Sequence, residues 1–304
     1  MNWLWLILAL VVIGLLGDWL YSSIIHHRRR RWEQAQNWTQ AGIRAGCEDF
    51  MVGSGRDGLA ILMVHGYADS PGLFKKLAGR LATEQGWTCR AMRLPGSAEP
   101  LDQAAVKADL ELWRRTIDAE LTALAATHRQ VWLLGHSMGG ALAADAVIRR
   151  PDSPAGLIML APLIKVSAAK SPLGVPPRFW YTLLRRIMVF TRTIENWLSP
   201  NDAGTAYLDR FVHVDYLDQV FRLVDRLAGS VLPSQIPVLM VVAGRDRIVD
   251  SAAALSWLAA MPAGRKEAMT EPEMGHVLPV EDGWERVADT VASFIHRQAA
   301  GTRS

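Results

Sequence analysis

The stretch that most constrains this chain is Val131-Trp132-Leu133-Leu134-Gly135-His136-Ser137-Met138-Gly139-Gly140-Ala141-Leu142-Ala143-Ala144. An unbroken apolar run reads as a buried strand, and a run of small residues opens a helix. Between them, G-x-S-x-G makes a sharp turn that leaves the serine hydroxyl exposed at the strand's end, with the backbone donors of the helix N-terminus aimed at the same spot. Gly135 and Gly139 flank a turn too tight for a Cβ, and Gly140 with Ala141 lets the departing helix pack close to the sheet. As a bare string of letters the pattern recurs by chance. The strand before it, the helix after it and the partner residues described below make Ser137 a candidate nucleophile.

The rest of the chain alternates in the same way. Glu48 to Val52, Leu59 to His65, Trp87 to Leu94, Gly156 to Leu160 and Val238 to Ala243 read as strands. Pro71 to Gly86, Ala104 to His128, Met138 to Arg150 and Gly283 to His296 read as helices, the first with Ser70 able to cap its start. This order predicts an α/β fold with a mostly parallel central sheet covered by helices on both faces, and with functional groups gathered at the carboxyl ends of the strands. Gly53-Ser54-Gly55-Arg56-Asp57-Gly58 matches G-x-G-x-x-G by letter, but a strand follows it, so it reads as a hairpin turn and not a dinucleotide site. With 304 residues, half of them hydrophobic, the chain can bury one large core. Cys47 and Cys89 are too few for a disulfide framework and lack metal or redox spacing.

Trp3 to Gly17 has no polar side chain, and apolar character resumes after Asp18 as far as Ile25. A helix over that range rises about 34 Å, enough to cross a hydrocarbon layer of ~30 Å. Asp18 opposes insertion by up to ~3 kcal/mol near the bilayer centre, but it lies past the midpoint and is outweighed by many Leu, Ile and Val. No basic n-region precedes the segment and no small-x-small site follows it, which favours an uncleaved anchor over a signal peptide. Arg28 to Arg31 lie on its C-terminal side and predict that this side stays in the cytoplasm, as in a single-pass protein of the inner (cytoplasmic) membrane. Four of the 33 basic and one of the 30 acidic residues fall in the first 32, which leaves the remainder balanced and accounts for the net charge of +3. That balance carries no nucleic-acid footprint, and the arginine run fits anionic lipid headgroups. The expected organisation is an anchor over 1–31, an α/β domain over 32–304, and an insertion over 167–235 within it.

A serine hydroxyl needs an imidazole to take its proton, and the imidazole needs a carboxylate to fix its tautomer. Among eight histidines, His276 lies in a loop before the closing helix, where a Ser, Asp, His order places the base; His213 precedes both acid candidates and falls in the insertion. Asp246 stands two residues after Gly244, past the end of a strand, and can turn back toward His276, whereas Asp250 reads as a helix N-cap. An oxyanion hole needs two backbone N–H groups. Met138, next after the serine, supplies one, and Val64-His65-Gly66-Tyr67 places the other at Tyr67, with His65 bracing the loop.

At these residues the chain resembles the α/β-hydrolase superfamily, especially its microbial carboxylesterase and monoacylglycerol-lipase branch of serine aminopeptidase-type hydrolases. The marks are His65-Gly66-Tyr67, Arg93-Leu94-Pro95-Gly96, Trp113, Gly135 to Gly139, Gly244 to Asp246 and Gly275-His276. By that likeness the triad is Ser137, Asp246 and His276. Gly96-Ser97-Ala98 stands where that branch often has Gly-His-Gly after Leu-Pro, a departure on the substrate side.

About seventy residues separate Pro162 from Val238, far more than an ordinary connection, and their helical patterning predicts a cap. Trp180, Leu183, Leu184 and Ile187 form an apolar stripe at helical spacing, beside Arg178, Arg185, Arg186 and Arg192. Such a stripe either packs on the main domain or roofs an acyl-chain pocket while the arginines lean toward lipid headgroups. Tether, cap and triad together predict a serine hydrolase acting on monoacyl or lipid-derived esters through an acyl-enzyme, with no metal or organic cofactor. The same triad serves thioester, amide or carbon–carbon bond cleavage and acyl transfer equally well, and a membrane-tethered binding protein is the reading in which the chemistry is lost.

Overall fold

The computed structural model describes residues 3–55, 58–169, 171–196, 207–262 and 264–301. A helix, α1 (Trp3–Gln34), precedes a seven-stranded sheet built from β1 (Phe50–Val52), β2 (Leu59–Val64), β3 (Thr88–Met92), β4 (Gln130–His136), β5 (Gly156–Leu160), β8 (Val238–Ala243) and β9 (Lys266–Glu271). Strand order is β1-β3-β2-β4-β5-β8-β9, parallel throughout except for β1, which runs antiparallel to β3. Every residue of β2, β5 and β8 is buried, as expected of strands covered on both faces. The helices α2 (Lys75–Gln85) and α9 (Trp284–Gly301) pack on each other, as do α4 (Leu110–Ala125), α5 (Met138–Arg149) and α7 (Val214–Ala228). The α/β-hydrolase fold expected from the sequence is the fold observed.

Several local expectations change. The Gly53–Gly58 segment does not close a hairpin, because β1 pairs with β3 and the chain must pass over that strand to reach β2. Gly53 makes the crossing possible: at φ 99° an added Cβ would stand 1.9 Å from the Trp87 carbonyl oxygen. The expected helix from Ala104 to His128 is two helices, α3 (Leu101–Lys107) and α4, since Ala108 leaves helical geometry and the Asp109 carboxylate caps α4 by accepting from Leu112 N–H. Ser70 caps nothing; its hydroxyl donates to the Tyr207 carbonyl at 3.0 Å, and Pro71–Phe74 is a 3-10 turn ahead of α2. Strand β9 is an edge strand with polar, half-exposed residues and none of the apolar continuity that marks its neighbours.

The insertion contains α6 (Pro177–Ile187), a short antiparallel pair β6 (Thr193–Glu195) and β7 (Phe211–His213), and α7, with residues 197–206 outside the described set. Helix α7 buries Val214, Tyr216, Val220, Leu223 and Leu227 against the domain. Helix α6 buries nothing, so its stripe does not pack on the main domain. Arg178 pairs with Asp225, and Arg185 and Arg192 with Asp215, so of the four expected to reach toward headgroups these three are engaged by α7. The helix after β8, α8 (Ser251–Ala259), is capped by Asp250, which accepts from Ala253 N–H at 3.0 Å. Both cysteines are free and buried.

Candidate active site

Strand β4 delivers Ser137 to the carboxyl edge of the sheet, where the serine adopts φ 55°, ψ −120° and α5 begins at the next residue. A non-glycine residue there stores on the order of 1–3 kcal/mol and persists because its surroundings over-determine it. Ser137 N–H donates to the Leu160 carbonyl, and its own carbonyl accepts from Gly140, Ala141 and Leu163. The flanking glycines have no alternative: a Cβ on Gly135 would stand 2.2 Å from Gly139 O, and one on Gly139 would stand 2.0 Å from Val64 O.

The three residues singled out in sequence meet here. Ser137 Oγ lies 2.9 Å from His276 Nε2, and His276 Nδ1 lies 2.7 Å from Asp246 Oδ2. With a carboxylate at Nδ1, that nitrogen carries the proton and Nε2 is the acceptor facing the hydroxyl. Asp246 follows β8, and its other oxygen accepts from Ile248 and Val249 N–H at 2.8 and 2.9 Å. Burial alone raises the Asp246 carboxyl, but the His276 ring and these two amides outweigh it and hold it below its ordinary value. The arrangement is able to pass a proton from hydroxyl to imidazole while a buried carboxylate stabilises the resulting cation. His213, the competing histidine, sits at the start of α7 and accepts from Asp215 N–H.

Gly66 brings the loop after β2 against the serine so closely that a Cβ on it would stand 3.0 Å from Ser137 Cβ. Tyr67 follows. Its loop is held by His65, whose Nδ1–H donates to Gly66 O and whose Nε2 accepts from Leu94 N–H, both at 3.0 Å. Burial lowers the His65 pKa to about 4, so the ring braces the loop as a neutral group. Beyond Tyr67, Ala68 at φ 53° is fastened from the cap, its carbonyl accepting from Asp209 N–H at 2.6 Å. Asp209 also accepts from Ala98 N–H at 2.9 Å and from Arg44 at 3.2 Å. The Gly96-Ser97-Ala98 loop is therefore tied through Asp209 to the insertion and to the loop after β2 alike. In α6, Trp180 is half-buried, while Leu183, Leu184 and Ile187 are exposed.

Sequence reasoning missed the residues that support His276. Glu281 accepts from Gly275 N–H at 2.5 Å and from Val277 N–H at 2.8 Å, clasping the loop on either side of the imidazole. His136 donates from Nε2 to the His276 carbonyl at 2.9 Å. Its buried Nδ1 faces Asp69 Oδ2 at 3.9 Å. Burial lowers His136 to about 3, and burial likewise pushes the Asp69 carboxyl well above its ordinary value. A histidine inside G-x-S-x-G was legible as pointing into the turn; its grip on a loop 140 residues away was not. Among the described residues, no group of histidine, cysteine and carboxylate side chains is arranged to hold a metal ion.

Comparison with known proteins agrees with the fold. A family model described as serine aminopeptidase, S33, matches residues 57–283. Rat (Rattus norvegicus) monoglyceride lipase is 25% identical over 240 residues, covering 75% of this chain and 78% of that protein. A monoacylglycerol lipase from Paleococcus ferrophilus superposes with TM-score 0.67 at 19% identity, over 82% of this chain and 98% of that one. A soluble variant of monoglyceride lipase from Saccharomyces cerevisiae gives TM-score 0.68 at 16% identity, over 82% and 90%. A structure reported with the metagenome-derived lipolytic enzymes LipS and LipT gives TM-score 0.71 at 19% identity, over 84% and 99%.

Proposed function

The chain belongs to the serine aminopeptidase S33 family, and from that premise we propose that it is a membrane-anchored serine hydrolase of carboxylic esters, acting on monoacyl or lipid-derived substrates. The observation that carries the reading is the continuous line Ser137 Oγ, His276 Nε2, His276 Nδ1, Asp246 Oδ2, with spacings of 2.9 and 2.7 Å at its two hydrogen bonds. Likeness to monoglyceride and monoacylglycerol lipases supports the ester and the single acyl chain.

In this mechanism the Ser137 oxygen attacks the ester carbonyl as His276 Nε2 takes its proton, and Asp246 steadies the imidazolium. The carbonyl oxygen becomes an oxyanion held by the backbone N–H groups of Tyr67 and Met138. The carbon–oxygen bond to the leaving alcohol breaks, and His276 returns the proton to that oxygen. Water, deprotonated by the same imidazole, then releases the acyl group and restores the serine hydroxyl. Trp180, Leu183, Leu184 and Ile187 offer the apolar surface that an acyl chain meets on its way from the bilayer. Helix α1, long and apolar enough to cross a membrane, anchors the enzyme as a single-pass protein of the inner membrane, with Arg28 to Arg31 keeping the hydrolase domain in the cytoplasm. The domain limits follow as anchor over 1–31, hydrolase over 32–304 and cap over 167–235.

The test uses the full-length protein in mild detergent with nitrophenyl esters of graded acyl length, beside Ser137→Ala. Expected is a loss of about a thousandfold or more in kcat on substitution, together with loss of covalent labelling by a fluorophosphonate. Equal turnover by both proteins removes Ser137 from the mechanism. The family description, an aminopeptidase, favours amides as a second substrate class, and aminoacyl anilides in the same assay decide between them.

A further inference from the structure

Helix α1 is not a free tether. One stripe of it, Asp18, Ile25 and Arg29, is buried, while Trp19, Leu20 and Ile24 on the same turns are exposed. The buried stripe meets the cap. Asp18 is 8% exposed; its Oδ2 accepts from Val189 N–H at 2.6 Å and Phe190 N–H at 2.7 Å, and its Oδ1 accepts from the Thr191 hydroxyl at 2.6 Å. One turn on, Ser22 donates its hydroxyl to the Phe190 carbonyl at 2.9 Å. Every oxygen of this carboxylate is thus engaged by the segment between α6 and β6, which removes most of the desolvation cost that the sequence assigns to a charge beside a membrane.

Helix geometry then fixes a depth. Trp3 to Gly17 rises only about 22 Å at ~1.5 Å per residue, short of a ~30 Å hydrocarbon layer, whereas the apolar outer face continues to Ile24 and supplies the missing length. A span ending near Ile24 carries Asp18 about 9 Å below the hydrocarbon boundary, and Val189 and Phe190 are hydrogen-bonded to it. What the cap presents at that level is apolar and uncovered: Ile187 is 59%, Val189 58% and Phe190 45% exposed.

Resting on the anchor reading above, we propose that the cap segment Ile187–Phe190 is seated in the same membrane leaflet as α1, among lipid acyl chains, with Asp18 as the lock that holds anchor and cap together. The leaflet is the occupant because the segment continues the exposed face of a helix built for lipid and lies at the depth which that helix dictates. The hydrolase domain is then held at one height and orientation against the bilayer.

The experiment places single cysteines at Leu10, Phe190 and Ala268 of the full-length protein, labels each with an environment-sensitive fluorophore, and reconstitutes it in phosphatidylcholine–phosphatidylglycerol vesicles. The native Cys47 and Cys89, 1% and 0% exposed, are poor labelling sites. Expected is quenching of the Leu10 and Phe190 labels by nitroxide-bearing lipid and shielding of both from aqueous iodide, with the reverse at Ala268. Adding Asp18→Ala should shift Phe190 toward the iodide sensitivity of Ala268 while Leu10 stays in lipid. Iodide access at Phe190 with Leu10 protected overturns the proposal and leaves the anchor standing. Iodide access at Leu10 overturns the anchor reading and the proposal together. Protection of Phe190 from both quenchers means that protein, such as a second copy of the chain, covers it, and it too overturns the proposal. Unchanged Phe190 quenching in Asp18→Ala overturns the role of the lock.

Discussion

The side chains that hold the His276 loop lie outside the line from Ser137 to Asp246, and they are where single substitutions separate support from chemistry. Glu281 takes the N–H groups on both sides of residue 276, so Glu281→Gln leaves one of them facing an amide NH2. A part-buried amide without its acceptor costs about 1–3 kcal/mol, and if the loop shifts to recover it, kcat falls by roughly tenfold with KM little changed. An unaltered kcat means that the loop is held without Glu281. Asp69 behaves differently, because burial raises its carboxyl well above the unfolded value and the folded protein keeps a proton that the unfolded chain gives up. Its contribution to stability is fully present below its ordinary value of 3.8 and is lost as pH rises. Asp69→Asn keeps an acceptor for Ser70 N–H and has no proton to lose. Relative to the parent, the variant should therefore gain about 1.4 kcal/mol per pH unit as pH rises from above 3.8 toward the raised value of the folded carboxyl. Parallel urea-unfolding curves over that window, differing by a constant offset, contradict this.

At the scale of elements, the turn between β4 and α5 is built from positions that tolerate no substitution, and this is why it could be read from sequence. Gly139→Ala places a Cβ on the backbone of β2, 2.0 Å from Val64 O, where no rotamer offers relief. It should cost more than about 3 kcal/mol and lower the thermal midpoint by on the order of 10 °C. Gly79→Ala, in the middle of α2 with nothing within 4 Å of the new methyl, should instead stabilise by about 1 kcal/mol. Thermal melts of the two variants, if they shift the same way, refute the assignment of Gly139 to backbone contact. The same contrast explains what was legible. Ser137, Asp246 and His276 occupy strand ends and loops whose neighbours Gly135, Gly139 and Gly244 are dictated by close backbone approach, and Gly275 by the Glu281 carboxylate lying against it. Strand β9, Lys266–Glu271, has a sheet neighbour on one side only and carries polar residues, so no apolar run announces it. The break at Ala108 hides because apolar spacing runs on through both helices. The partner of β1 hides for a different reason: pairing with β3 is a long-range choice that Gly53–Gly58 cannot encode.

For the molecule as a whole, α1 changes character at Asp18: residues 3–17 are exposed throughout, and from Asp18 onward one stripe of the helix is buried against the rest of the protein. Downstream of Asp18, Ile25 forms a buried cluster with Leu101 and Phe211, against which Trp32 packs. Arg29 reaches Asp102 at 2.6 Å, Arg28 reaches Glu195 at 2.9 Å, and Glu33 accepts from Leu101 N–H at 2.9 Å. Arginines whose run reads as a signal for headgroups and topology thus also join α1 to α3 and β6, a double use that composition cannot separate. The consequence is a difference between two truncations. Removing residues 1–17 deletes most of the exposed apolar part and leaves these contacts in place, so the thermal midpoint of the remaining chain in detergent should stay close to that of the full protein. Removing residues 1–34 uncovers Leu101 and Phe211, strips Asp102 of Arg29, leaves Glu195 with Arg210 in place of two arginines, and forfeits about 2–3 kcal/mol from Ile25 alone. At ~2–4 °C per kcal/mol for a domain of this size, the midpoint should fall by roughly 5–10 °C. Near-ultraviolet circular dichroism melts of both truncations measure this directly. Equal midpoints would mean that the second half of α1 contributes nothing to the folded domain, and the proposal that α1 holds the cap in place would lose its support.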